Sequence, residues 1–247
     1  MGEKKGIEMK QLLKRVCLAL SVIFLLAVNA NALVVPFTDT HANWKNWNVW
    51  ATDLHGTPDF LDGTAIIDNT GSLTGLTFRV LANQYISLFR TLTAADLFID
   101  SNADDTWDYV AKSLNSKNGT YNIYNVSQPL GVYNYGDPAN AKYILANQPH
   151  WRTGHPVGLD ITGSSMFGSA TLSGWWGNTA QLGDIFTLNW SFDPILLSQD
   201  FTIAFSVMCA NDVVYETMHN PVPEPASLLL VGTGLMGLIW TRKTLRK

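Results

Sequence analysis

The sequence predicts an all-β domain, a β-sandwich of jelly-roll-like or Ig-like kind, over residues 33–219. A signal peptide at 1–32 and a tail at 220–247 with a single membrane-spanning helix flank it. Three observations predict the fold class. Apolar residues recur at every second position in several mid-chain runs, the period of a strand with one buried face. β-branched and aromatic residues fill those runs, as a pleated, half-buried surface favours. Clusters of Gly, Asn, Asp and Pro interrupt them at short intervals, and no run sustains a 3.6-residue period. Many short strands between turns make a sandwich or an open barrel.

Taken in order, the chain opens on Lys4, Lys5, Lys10, Lys14 and Arg15, followed by an apolar segment at 16–28. Ala30-Asn31-Ala32 then supplies the small residues that a signal peptidase reads, which places cleavage after Ala32 and makes that peptidase a partner. Met9 is a second candidate start, because the positive segment survives without the first eight residues. Cys17 leaves with the signal, so Cys209 is the only cysteine of the exported part. One thiol forms no internal disulfide, and stability has to come from a core. Cys209 itself, in the apolar run 201–210, reads as a small buried hydrophobe.

Runs at 73–81, 85–92, 120–126, 183–192 and 201–210 read as strands. Asp62-Gly63, Asn69-Thr70-Gly71, Asn118-Gly119, Gly136-Asp137-Pro138 and Gly177-Asn178 read as turns. Short helical turns fit at 94–97 or 138–146, and 218–225 reads as a linker. The domain carries 17 Asp and Glu against 7 Lys and Arg, a formal charge of −10. The whole chain reaches only −4, because nine cations belong to its two ends. An acidic surface with scattered basic residues argues against nucleic acid and suits divalent cations.

The densest polar cluster is Asp100, Asn102, Asp104, Thr106 and Asp108, oxygen side chains at alternate positions after the apolar run 97–99. That spacing suits Ca2+, and the pattern resembles EF-hand-type calcium loops. Two positions depart from it. Asp105 stands where glycine makes the sharp turn, and Ala111 where a bidentate carboxylate closes the site, so Asp96 or a distant residue would have to replace the missing ligand. Tryptophans at 44, 47, 50, 151, 175 and 176 suit sugar stacking, but a disulfide-free sandwich needs most of them in its core. Enzyme signatures are absent. Gly232-Thr233-Gly234-Leu235-Met236-Gly237 matches a dinucleotide fingerprint outside any βαβ unit, and His150 and His155 lie on a Pro- and Gly-rich stretch without a partner Glu.

The tail orders three features. Pro223-Glu224-Pro225 breaks regular structure. An uncharged run from Ala226 to Trp240 follows, and then Arg242, Lys243, Arg246 and Lys247. Fifteen residues give a helix of roughly 22 Å, short for about 30 Å of hydrocarbon. The cations mark the cytoplasmic side and put Pro223 on the outer one. This ordered trio resembles the PEP-CTERM sorting signal of Gram-negative bacteria. The resemblance implies that exosortase, a membrane protease-transpeptidase, cuts near Pro223-Glu224-Pro225. An inner-membrane-anchored intermediate would then yield a protein at the cell surface or in the exopolysaccharide matrix. The expected function is structural or binding rather than enzymatic, with exopolysaccharide as a candidate ligand. The alternative is a glycan hydrolase or lyase with carboxylates drawn from scattered positions such as Asp53, Asp160 and Asp184.

Overall fold

Alternating burial builds twelve strands among the residues that the computed structural model describes, which are 32–39, 44–46, 58–131, 137–146, 155–210, 212–221 and 234. In chain order these are β1 (Leu33–Thr38), β2 (Asp59–Ile67), β3 (Ser72–Leu81), β4 (Leu97–Asp100), β5 (Thr106–Ala111) and β6 (Gly119–Pro129). There follow β7 (Tyr143–Leu145), β8 (Pro156–Leu159), β9 (Ser165–Ser173), β10 (Ile185–Leu196), β11 (Asp200–Ser206) and β12 (Val213–His219). A single turn of helix, α1 (Ile86–Phe89), links β3 to β4, and a 3-10 turn occupies Pro138–Asn140. Residues 33–221 form one compact unit.

Ten strands make one antiparallel ladder in the order β1-β2-β3-β10-β9-β6-β5-β4-β11-β12, and β7 pairs with β8 apart from it. The ladder coils upon itself. Phe78 of β3 stacks on Phe205 of β11 with centroids 5.2 Å apart, and Phe60 of β2 meets the same ring edge-on at 5.9 Å. The two terminal strands, β1 and β12, approach within 8 Å between Cα atoms without pairing. The opposed layers expected of a sandwich are therefore two halves of a single nearly barrel-like sheet. Right-handed strand twist accumulated over ten strands carries the sheet round in this way.

Inside lies the main core, with Leu76, Phe78, Trp190, Leu97, Ile99, Phe201, Ile203 and Phe205. A second cluster lies on the outer side of β4, β5, β11 and β12, where Phe98, Trp107, Ala204 and Tyr215 pack with Trp44 and with Tyr143 and Leu159 of β7 and β8. That wall is buried on both faces. All four residues of β4 are buried, and so are six of the seven in β11. The wall of β6, β9 and β10 shows the alternation of a one-sided strand.

Several expectations change. The run 85–92 contains α1, not a strand. Tyr85 takes a left-handed backbone (φ 41°) and starts a turn that drops Phe89 into the core against Trp176. Asp62-Gly63 lies inside β2, and glycine stands there because a Cβ would meet the Thr77 carbonyl and the Phe37 ring. Residues 94–97 run into β4, whereas 138–146 does hold a helical turn, the 3-10 turn at Pro138–Asn140, before strand resumes at 143–145. Met218 and His219 end β12, and Asn220 is buried, so the expected linker at 218–225 cannot begin before residue 221. Among the described residues no helix is long and apolar enough to cross a membrane. Ala226 and Trp240 of the expected spanning helix lie outside them, as does Ala30.

Candidate functional site

Strand direction decides where the chain enters and leaves the domain. Ten antiparallel strands place the start of β1 and the end of β12 at the same end of the barrel. Both settle on the hairpin turn between β2 and β3. Leu33 stands opposite Ile67 in the ladder, while the Asn220 side-chain amide donates to the Gly71 carbonyl at 3.3 Å. Asp68 shapes that turn, accepting from the Thr70 and Ser72 amides at 2.8 and 2.9 Å. The Asn220 backbone amide donates to Gln199 at 2.6 Å, and Leu197 donates to Gly71 at 3.2 Å. Asn220 is 2 % exposed. Sequence reasoning missed it, and an Asn ahead of Pro-Val-Pro looks like any other turn residue.

The acidic loop lies at this end too, joined to it by the Ser198 amide donating to the Ser101 carbonyl at 2.7 Å. Asp100 accepts the amides of Asn102, Asp104 and Asp105 at 3.2, 3.3 and 3.0 Å. Asn102 Oδ1 accepts the Asp104 amide, and Asp104 accepts the Thr106 amide. Asp105 adopts φ 66° and Ala103 φ 53°, so Asp105 takes the left-handed turn for which glycine was expected. Asp108 turns elsewhere and accepts from the amide and hydroxyl of Ser101 at 2.8 and 2.6 Å. Burial raises the Asp100 carboxyl above its ordinary pKa despite the three amides it accepts. Asp100, Asn102 and Asp104 are thus gathered in one loop and Asp108 is not. No group of three His, Cys, Asp or Glu side chains among the described residues is placed to hold a metal.

Asp96 supplies no ligand to that loop. It is fully buried ahead of β4, where it pairs with Lys112 and accepts the Leu114 and Leu159 amides at 2.9 and 3.0 Å. Burial raises its pKa against the pull of Lys112. Among the acids suggested for glycan chemistry, Asp160 caps its own turn by accepting from the Thr162 amide and hydroxyl, and Asp184 accepts the Gln181 amide. Asp53 lies outside the described residues.

The tryptophans of the described residues are in the core. Trp44, Trp175 and Trp176 are buried, so none of the three offers a free platform to a sugar ring. Trp175 and Trp176 stack on each other at 4.4 Å, and their indole N–H groups donate to the carbonyls of Leu92, just after α1, and of Phe89, its last residue. Cys209 is buried, as its apolar surroundings suggested. His155 is buried as well. Trp47, Trp50, Trp151 and His150 lie outside the described residues, together with Pro223, Glu224, Pro225, Arg242, Lys243, Arg246 and Lys247.

The family model of the PEP-CTERM protein-sorting motif matches residues 221–243. The chain therefore carries a C-terminal sorting signal that indicates export, a membrane-anchored intermediate and processing by exosortase. Neither a curated protein nor a solved structure matches the chain.

Proposed function

We propose that the PEP-CTERM tail delivers this protein to the cell surface or the exopolysaccharide matrix, where its β domain serves as a structural or binding module without catalysis. One observation carries the reading: the sorting motif begins at residue 221, immediately after Asn220, whose amide donates to Gln199 of the barrel. In this scheme a signal peptidase cuts after Ala32, exosortase cuts near Pro223-Glu224-Pro225, and the residues between them are released intact. The turn-capping roles of Asp160 and Asp184 favour a module over a hydrolase or lyase. Intact-mass analysis of the surface-associated protein tests the scheme. The expected species starts at Leu33 and ends close to Pro223; one that retains Arg242–Lys247 would show a plain membrane anchor.

Calcium is a second reading, favoured by the left-handed backbone at Asp105, which draws Asp100, Asn102 and Asp104 into one loop. Those three side chains would hold the ion, and it would relieve the repulsion between the two carboxylates. Binding to the folded state alone adds RT ln(1 + [L]/Kd), about 2.7 kcal/mol at a hundredfold excess over Kd. The expected outcome is a higher melting temperature in excess Ca2+ than in excess chelator, abolished by Asp100→Asn with Asp104→Asn. Superimposable melts sink this reading and leave a self-capped acidic turn.

A further inference from the structure

Two processing points in one chain need not lie near each other in space. Here the domain holds both to the same end of the barrel. Leu33, the first residue after the proposed signal cleavage, pairs opposite Ile67, and Asn220 donates to Gly71 in the same turn. Asn220 fastens the chain to the barrel, and Pro223 follows three residues later. Even fully extended, three residues span only roughly 10 Å. An enzyme that cuts at Pro223-Glu224-Pro225 must therefore work against the barrel itself.

The surface it would meet is apolar near the exit point. Leu196 stands opposite Ser72 at the end of β10 and is 67 % exposed, and Leu33 and Val34 of β1 are exposed beside the same turn. The charges nearby are largely occupied. Asp68 is committed to the turn, and its carboxyl is held below its ordinary pKa by hydrogen bonds with Thr70 and Ser72 that outweigh its slight burial. Asp200 faces His219 at 2.9 Å. A set of exposed aliphatic side chains next to a tethered cleavage point suits a protein contact made close to a membrane.

We propose that this end of the barrel, built from Leu33, Val34, the 67–72 turn, Leu196 and Asn220, is the docking surface for the membrane-embedded sorting protease. The inference rests on the processing scheme above and adds a requirement to it. The protease reads the folded end of the domain as well as the tail, and the three-residue spacing after Asn220 keeps the two in register.

The test follows processing of the full chain by pulse-chase in cells that carry the sorting protease. Leu196→Glu should slow tail cleavage several-fold while circular dichroism of the purified protein shows an unchanged fold. Leu182→Glu is the control, since Leu182 is 65 % exposed and lies by β10's start, at the other end of the barrel. It should be processed like the wild type. Inserting about twelve Gly and Ser residues between Pro221 and Val222 lengthens the tether by roughly 20 Å. That insertion should remove the effect of Leu196→Glu, because the tail no longer forces contact. Normal cleavage of Leu196→Glu, equal slowing in both variants, or no relief from the insertion would each overturn the docking surface. A wild-type chain left uncut in the same cells would instead overturn the processing scheme, and the docking surface with it.

Discussion

Asp96 carries the most concentrated polar burden in the barrel. Its carboxylate serves Lys112 and the Leu114 and Leu159 amides, which ties the start of β4 to the end of β5 and to β8. Removing it leaves the buried Leu159 amide and the half-buried Leu114 amide without this acceptor. It also takes the counter-charge from Lys112, whose ammonium keeps only the Leu159 carbonyl at 2.9 Å, and breaking such a pair costs about 3–5 kcal/mol. Lys112 keeps 24 % of its side-chain exposure and can turn to water, so Asp96→Ala should lose about 3 kcal/mol, the lower end of that range, in urea unfolding. Asp96→Asn keeps an acceptor for the amides and should lose less. A loss no greater for Ala than for Asn would show that the hydrogen bonds contribute nothing. None of this was legible in the sequence. Asp96 precedes an apolar run like many loop acids, and its partners lie 16 to 63 residues further along the chain. Cys209 and the tryptophans were legible, since size and polarity alone favour their burial.

At the scale of elements, β6 and β10 could be read directly, because each alternates over eleven residues or more with one face to the core. β3 and β11 could be read by their β-branched and aromatic residues, although β11 is buried on both faces. β4 and β7 are too short to show a period, and β7 and β8 are covered by contacts from far along the chain. The run 85–92 misled because Ile86, Leu88 and Leu92 also fit a strand's spacing. What decides it is tertiary: Trp176 stacks on Phe89 at 4.3 Å and donates to its carbonyl at 2.6 Å. A local preference of a few tenths of a kcal/mol yields to contacts of that size. Trp176→Ala should therefore destabilise the domain by about 3–5 kcal/mol, measured by chemical denaturation, through the cavity it leaves beneath α1. A cost below about 1 kcal/mol, the level of a surface substitution, would mean that α1 is held by its backbone alone.

For the whole molecule, the sequence pointed to an all-β domain between two sorting segments, and could not distinguish two sheets from one coiled sheet. The difference lies in how the strands pair, which local alternation does not encode. A single ladder with both of its main clusters sharing β4, β5, β11 and β12 should unfold as one unit. Far-UV circular dichroism and tryptophan fluorescence should then give superimposable denaturation curves. Fluorescence reports on both clusters, since Trp107 sits in the outer one and Trp190 in the inner. Two separated transitions would show that the doubly covered wall melts independently.

The near-closure of the ladder has a further consequence. An open sheet leaves a row of unpaired amides and carbonyls along each outer strand, and those rows recruit strands from other copies into fibres. In this barrel the outer strands β1 and β12 lie alongside each other, within 8 Å and antiparallel, so each screens the other from a passing chain. The seam between β1 and β12 therefore blunts edge-to-edge pairing between copies of the domain.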